Sequence, residues 1–227
     1  MHWSKSAPAV FLGVAAALGA AAQQAPPVPA PRFVVLIDAA HGGEDTGGKL
    51  GSGTLEKAAN LAMSVRLRSL LAARGISVVT TRESDAAVDS NRRAEIANRV
   101  SAGACLSLHA TESGSGVHLF ASSLAPAQPA RFPAWRTAQA AWVTRSLALA
   151  GVLNSALDHA TIGVTLSRTA LPGIDSMTCP ALAVEIAPQR GEDDRIVAEP
   201  DDADYQARVA VALAAAIVQW RTEARQP

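Results

Sequence analysis

Two histidines and two glutamates stand where their surroundings argue for chemistry. His41 follows an apolar run, RFVVLID (32–38), and His109 stands at the end of another, CLSLH. A histidine just past a buried strand lies where open α/β sheets build their sites, beyond the strands' carboxyl ends. Two such imidazoles and one carboxylate make a His2Glu set. That is the catalytic zinc pattern, with three protein ligands and a fourth position for water. Structural zinc is usually closed by four ligands, mostly cysteine, and this chain has 2 cysteines. Glu56 opens a helix after a Gly-rich loop and is the candidate third ligand, since the helix start favours an anion. Glu44, Asp45 and Glu112 are local rivals for that place, each equally readable as solvated loop. Glu185 interrupts the apolar stretch ALAVEIA. A carboxylate without a partner is costly to bury, so it either ends the buried segment or has a use. Beside a metal site, that use is to take a proton from water and pass it to a departing amine.

The stretch HGGEDTGGKL (41–50) also invites a phosphate-loop reading, because Gly43, Gly48 and Lys49 have nearly the right spacing. Leu50 occupies the position of the required hydroxyl. The helix should begin at the lysine, yet LGSGT continues as loop. Two requirements fail, and the metal reading stands.

Other residues weigh less. Asp38, ending the first strand, either orients a ligating histidine or satisfies loop amides. His118, inside GVHLF, faces the site or the surface and is not expected to be a ligand. His159 falls near a helix end, where positive charge is favoured. Trp135, Trp142 and Leu149 repeat every seven residues, a stripe that usually marks core. Trp135, at the edge of a Pro-rich loop, is also a weak candidate for stacking on carbohydrate. Arg82 and Arg93 are expected to pair with loop carboxylates or carbonyls.

The elements that must position these groups are legible. Strands are expected at 32–38, 76–81, 103–110, 116–122, around GVTLS, and at 180–187. Between them, Leu55, Ala59, Met63, Leu67, Leu70 and Leu71 trace one helical face behind Thr54 as N-cap. NRRAEIANRV reads as a second helix, 136–158 as a long third, and a fourth runs from Asp201 or Asp202 to about Glu223. Residues 124–135 are Pro-rich loop, and 191–205 an acidic loop. Alternating strands and helices imply an α/β fold, a single domain with a largely parallel twisted sheet of about six strands flanked by helices.

The chain has 227 residues, 49% of them hydrophobic, with 20 basic and 20 acidic side chains. That balance gives no sign of a nucleic-acid partner. Lys5 precedes an apolar stretch too short for a bilayer span, ending at small residues. Residues 1–22 therefore read as a cleaved signal peptide, 23–32 as a Pro-rich linker and 33–224 as the catalytic domain. The expected location is periplasmic or extracellular, with no stable membrane span after cleavage. Cys105 and Cys179 either pair in that oxidising compartment or stay as small buried residues.

VVLIDAAHGGEDTGG, TLEKAANLAMSVRLRSLLAARGISVVTTRESD, RRAEIAN, CLSLHA, GVHLF and PALAVEI occur in that order. Together they resemble the zinc-dependent N-acetylmuramoyl-L-alanine amidases of type 3, which are peptidoglycan hydrolases. The resemblance covers about residues 33–222. It implies that His41, Glu56 and His109 hold one Zn2+ per chain and that Glu185 is the catalytic glutamate. It implies a peptidoglycan or muropeptide substrate and leaves room for a protein activator. It also suggests that the segment 124–158 covers or shapes the groove. The sequence departs from the family at Ala39-Ala40, where Pro-Gly is common, at Thr111, where Asn is common, and at IAPQR after Glu185. These changes bear on support around the ligands and on substrate contacts. Two alternatives share the fold: a non-catalytic wall-binding or activator protein, and a zinc hydrolase of another small amide or peptide.

Overall fold

The computed structural model describes residues 1–3, 32–130 and 134–223. Most of the expected signal peptide and of the linker lies outside the described residues. From Arg32 onward the chain forms one unit.

Six strands form one sheet: β1 (Val34–Ala39), β2 (Ser77–Thr80), β3 (Ala104–Ala110), β4 (Val117–Ser122), β5 (Val164–Thr169) and β6 (Ala181–Ile186). Their spatial order is β2-β1-β3-β6-β4-β5. The first four in that order are parallel, whereas β4 runs antiparallel to β6 and carries β5 with it. The largely parallel sheet is as expected. The reversal at β4 follows from its connection: residues 111–116 are too few for the helical crossover that a parallel return needs. They turn the chain over the end of β6 instead.

Side-chain alternation gives the sheet two different faces. Val35, Ile37, Leu106, Leu108, Val117, Leu119, Leu182 and Val184 point to one face and join a single apolar cluster. There they meet helices α1 (Glu56–Ala72), α3 (Val143–His159) and α4 (Ala203–Glu223). Met63, Leu67 and Leu71 of α1 are fully buried in it, each contributing about 1.5–3 kcal/mol. Their burial fixes where α1 begins, and so where Glu56 stands. The other face carries Leu36, Cys105, Ala181 and Ala183, covered by helix α2 (Ser90–Arg99) and a short 3-10 turn, Ile174–Ser176. Farther along the same face come Asp38, Ser107, His109, His118 and Glu185.

Several local expectations change. The residue before α1 is Leu55, not Thr54, and no side chain caps the helix. The Gly-rich loop does that work, with Gly48 O accepting from Glu56 N at 2.8 Å. Asp89 caps α2 by accepting from Arg92 N, and Asp202 caps α4 by accepting from Tyr205 N. The long third helix is broken: Trp135–Ala141 is 3-10 with a kink at Thr137, and α3 starts at Val143. The seven-residue stripe therefore fails, and Trp135 is 41% exposed while Leu149 is buried. Gln189–Arg190 (β7), just before the acidic loop, and Ile196–Ala198 (β8), within it, form a small antiparallel ribbon. The cysteine question resolves as a disulfide, Cys105–Cys179, joining β3 to the segment that leads into β6.

A candidate metal centre

The loop after β1 turns sharply. His41 has φ 62, a left-handed conformation that a side-chain-bearing residue rarely adopts and that clusters at functional sites. Arg93 holds the turn, donating to His41 O at 2.9 Å and Ala39 O at 2.8 Å. Arg82 donates to Ala39 O at 2.8 Å and Ala40 O at 3.0 Å. Lys57 Nζ reaches over the loop to Gly43 O at 2.7 Å and Asp85 at 2.7 Å. Leu50, which rules out the phosphate loop, is buried against Ala59 and Ala110 and anchors the loop's far end.

These constraints bring His41, Glu56 and His109 together. His41 Nε2 lies 3.1 Å and His109 Nδ1 3.0 Å from Glu56 Oε1. One donor atom from each residue lies within 4.8 Å of the others. Donors bonded at about 2.0–2.1 Å to a tetrahedral ion sit roughly 3.3 Å apart, so the trio suits zinc. Gly47 is required here: a Cβ would come 2.6 Å from Glu56 Oε2 and 2.7 Å from His41 Cδ2, and its φ is +62. Gly48 N donates to Glu56 Oε2 at 2.9 Å, leaving Oε1 between the imidazoles.

The electrostatics agree. Burial works to raise the Glu56 pKa, but hydrogen bonds from His109, His41 and the Gly48 amide overcome it and hold the carboxyl far below the usual range. The hydrogen bond to Glu56 raises the His41 pKa, burial opposes it, and Asp45 adds to the rise. A cation would relieve the same concentration of negative charge. His41 Nδ1 donates to Asp45 at 2.9 Å. With the proton on Nδ1 held by that bond, Nε2 can give up its proton and its contact with Glu56 to a metal.

The sequence profile of the N-acetylmuramoyl-L-alanine amidase family matches residues 35–219.

The chain belongs to this family.

A curated relative, the N-acetylmuramoyl-L-alanine amidase AmiA of Escherichia coli (strain K12), is 36% identical over 94 residues, 40% of this chain and 32% of AmiA. The match thus spans about a third of that relative's length. The catalytic domain of CwlV, an N-acetylmuramoyl-L-alanine amidase from Bacillus (Paenibacillus) polymyxa var. colistinus, matches with a TM-score of 0.64 at 25% identity. The alignment covers 84% of this chain and 98% of that one. The CwlD amidase from Clostridioides difficile, solved in complex with the GerS lipoprotein, has a TM-score of 0.64 at 18% identity, over 85% and 100% of the two chains. At that identity the likeness speaks for the fold alone.

In this amidase-family chain, Glu185 pairs in register with His109 across β6 and β3, and so projects from the same face beside it. The ligand rivals separate: Asp45 faces the far nitrogen of His41, while Glu44 and Glu112 are exposed. The Asp38 side chain makes no hydrogen bond to a histidine among the described residues. It accepts from Thr81 Oγ1 at 2.6 Å and Ser107 Oγ at 2.7 Å and pairs with Arg93. The residue that orients His41 is therefore Asp45. His159 ends α3, donating to Ser155 O. Sequence reasoning missed the role of Asp45, the need for Gly47, and the partner of His118, which is Glu185. The sequence left His118 facing either the site or the surface, and no local signal names a cross-strand neighbour.

A groove of about 430 Å³ leads from His41 and His109 past Asp89 and Arg93 to the Leu171–Ile174 loop. No described residue of 124–158 lines it directly, although Gln139 supports the lining residue Met177 by donating to its carbonyl at 2.9 Å. Helix α3 itself is packed into the core. A second cavity of about 500 Å³ lies among Ser52, Val197, Glu199 and Asp201, and none of the four candidate site residues lines it.

Proposed function

We propose that the chain hydrolyses the amide joining the lactyl group of N-acetylmuramic acid to L-alanine of the peptidoglycan stem peptide. Family membership supports this class of activity. The observation that carries it is the meeting of His41, Glu56 and His109, with Glu185 in register beside His109. In this reading those three residues hold one zinc ion. When bound, zinc polarises the scissile carbonyl and makes water more acidic. Glu185 takes a proton from the attacking water, then delivers it to the L-alanine nitrogen as the C–N bond breaks. The groove past Arg93 receives the muropeptide.

Residues 33–224 form the catalytic domain in this proposal. Residues 1–22 direct it through the inner membrane and are removed, so that it works in the periplasm or outside the cell. No helix among the described residues is long and apolar enough to cross a membrane. CwlD is solved with a lipoprotein partner, and a protein activator belongs to the proposal on that analogy.

The test is a digest of purified peptidoglycan by zinc-loaded protein, read by mass spectrometry. The expected products are stem peptides with a free L-alanine amino group and glycan strands retaining intact lactyl groups. A chelator should stop release and added zinc restore it. Digestion of soluble muropeptides but not intact wall would narrow the substrate. Zinc binding without any release would leave a wall-binding role in place of the enzyme.

A further inference from the structure

The Glu185 carboxylate has one hydrogen-bond partner among the described residues. His118 Nδ1 lies 2.9 Å from Glu185 Oε1. The two residues are directly opposed in the antiparallel pair β4–β6, so their side chains leave the same face. An ionised carboxylate accepts only, so the imidazole must carry its proton on Nδ1.

The ring is held on other sides. Phe120 meets it edge to face at 6.3 Å between centroids. Gly114 closes over its Cε1–Nε2 edge, where a Cβ would come within 2.4 Å of Cε1, and its φ is +85. Arg190 Nε donates to Gly114 O at 3.1 Å and ties that loop down. The His118 side chain is 17% exposed and that of Glu185 29%. A glutamate has three rotatable side-chain bonds, and general-base work requires its oxygen within hydrogen-bond reach of the proton it abstracts. A packed imidazole answers that need, whereas an apolar residue would only fill space.

We infer that His118 is a positioning residue for Glu185: its Nδ1–H ties Oε1 and fixes the carboxylate plane, leaving Oε2 to carry the transferred proton. This rests on the reading of Glu185 as general base. Water's oxygen bonds the carbonyl carbon and one water proton goes to Oε2. That proton then leaves with the amine nitrogen as the C–N bond breaks. The His118 proton stays on Nδ1 throughout.

Two substitutions separate hydrogen bonding from packing. His118→Asn keeps a donor near the Nδ1 position, and His118→Phe keeps a packed ring without a donor. Both are compared with wild type and Glu185→Gln on one soluble muropeptide, with kcat expressed per bound zinc. His118→Phe should lose roughly 10–100-fold in kcat, the scale of a misplaced catalytic group, with KM within about twofold. His118→Asn should recover to within about fivefold of wild type. A wild-type kcat in His118→Phe overturns the inference, as does His118→Asn being equally slow. If Glu185→Gln turns over normally, or wild type releases nothing, the base or the amidase reading falls and takes the inference with it. Silent Glu185→Gln beside fully active His118→Phe overturns the His118 role alone. An activity-free measurement stands beside these: nitrogen NMR of the metal-free protein should show Nδ1 of His118 protonated, and lose that signature in Glu185→Ala. A bare Nδ1 in wild type overturns the inference.

Discussion

Glu185 and His109 are register partners on neighbouring parallel strands, β6 and β3. Parallel neighbours in register point their side chains the same way, a strand spacing of about 4.8 Å apart. A candidate base is thereby set beside a candidate metal ligand by backbone hydrogen bonding alone. Glu185→Gln keeps the size of the side chain and removes its ability to take a proton. Turnover on muropeptide should fall at least about 100-fold, the lower range for lost general-base catalysis. Zinc content by atomic absorption should stay near that of wild type. Activity equal to wild type would exclude Glu185 as the base.

His41 and its Asp45 partner should separate ligand from support. His41→Ala removes a donor and should abolish measurable zinc retention after dialysis. Asp45→Ala leaves all three donors but frees the His41 ring, and should weaken zinc binding roughly 10–100-fold. Asp45 is 67% exposed, so its loss should hardly change thermal stability. A competition titration against a chromogenic chelator reads both, and an unchanged affinity in Asp45→Ala would remove its orienting role.

Asp38 is buried beneath the site, gathering Thr81, Ser107 and Arg93. Asp38→Ala leaves the Arg93 guanidinium buried without its counter-charge, which should cost about 3–5 kcal/mol in urea unfolding. Arg93 also holds the His41 carbonyl, so zinc affinity should fall with stability. A loss under about 1 kcal/mol would mean that the network relaxes around the gap.

Tyr205 is the single tyrosine in the chain. Its hydroxyl donates to Gly116 O at 3.1 Å, and burial pushes its pKa from the usual 10.0 up to about 12 despite Arg208 nearby. The neutral form is favoured in the folded state, so its contribution is full below the unfolded pKa. It is lost as pH rises between 10.0 and about 12. Phenolate absorbance should thus rise late in the native protein and at ordinary pH in denaturant. Unfolding midpoints across that range should decline more in wild type than in Tyr205→Phe. A native titration at the ordinary tyrosine value would contradict the burial.

Much of this protein is legible in its sequence because the governing signals are local. Apolar runs ending in histidine or aspartate mark strands whose carboxyl ends build a site. Leu67 and Leu71 on one helical face mark the helix that presents Glu56, and a lone carboxylate in ALAVEI marks a strand with one open side. Residue type and period carry such information within a dozen positions. What only the tertiary structure decided depends on which strands become neighbours. The reversal of β4 sets His118 opposite Glu185, the turn at His41 brings Asp45 to its far nitrogen, and Cys105 meets Cys179 across 74 residues. Pairing of that kind arises from how the whole chain closes its core, and no short stretch of residues encodes it.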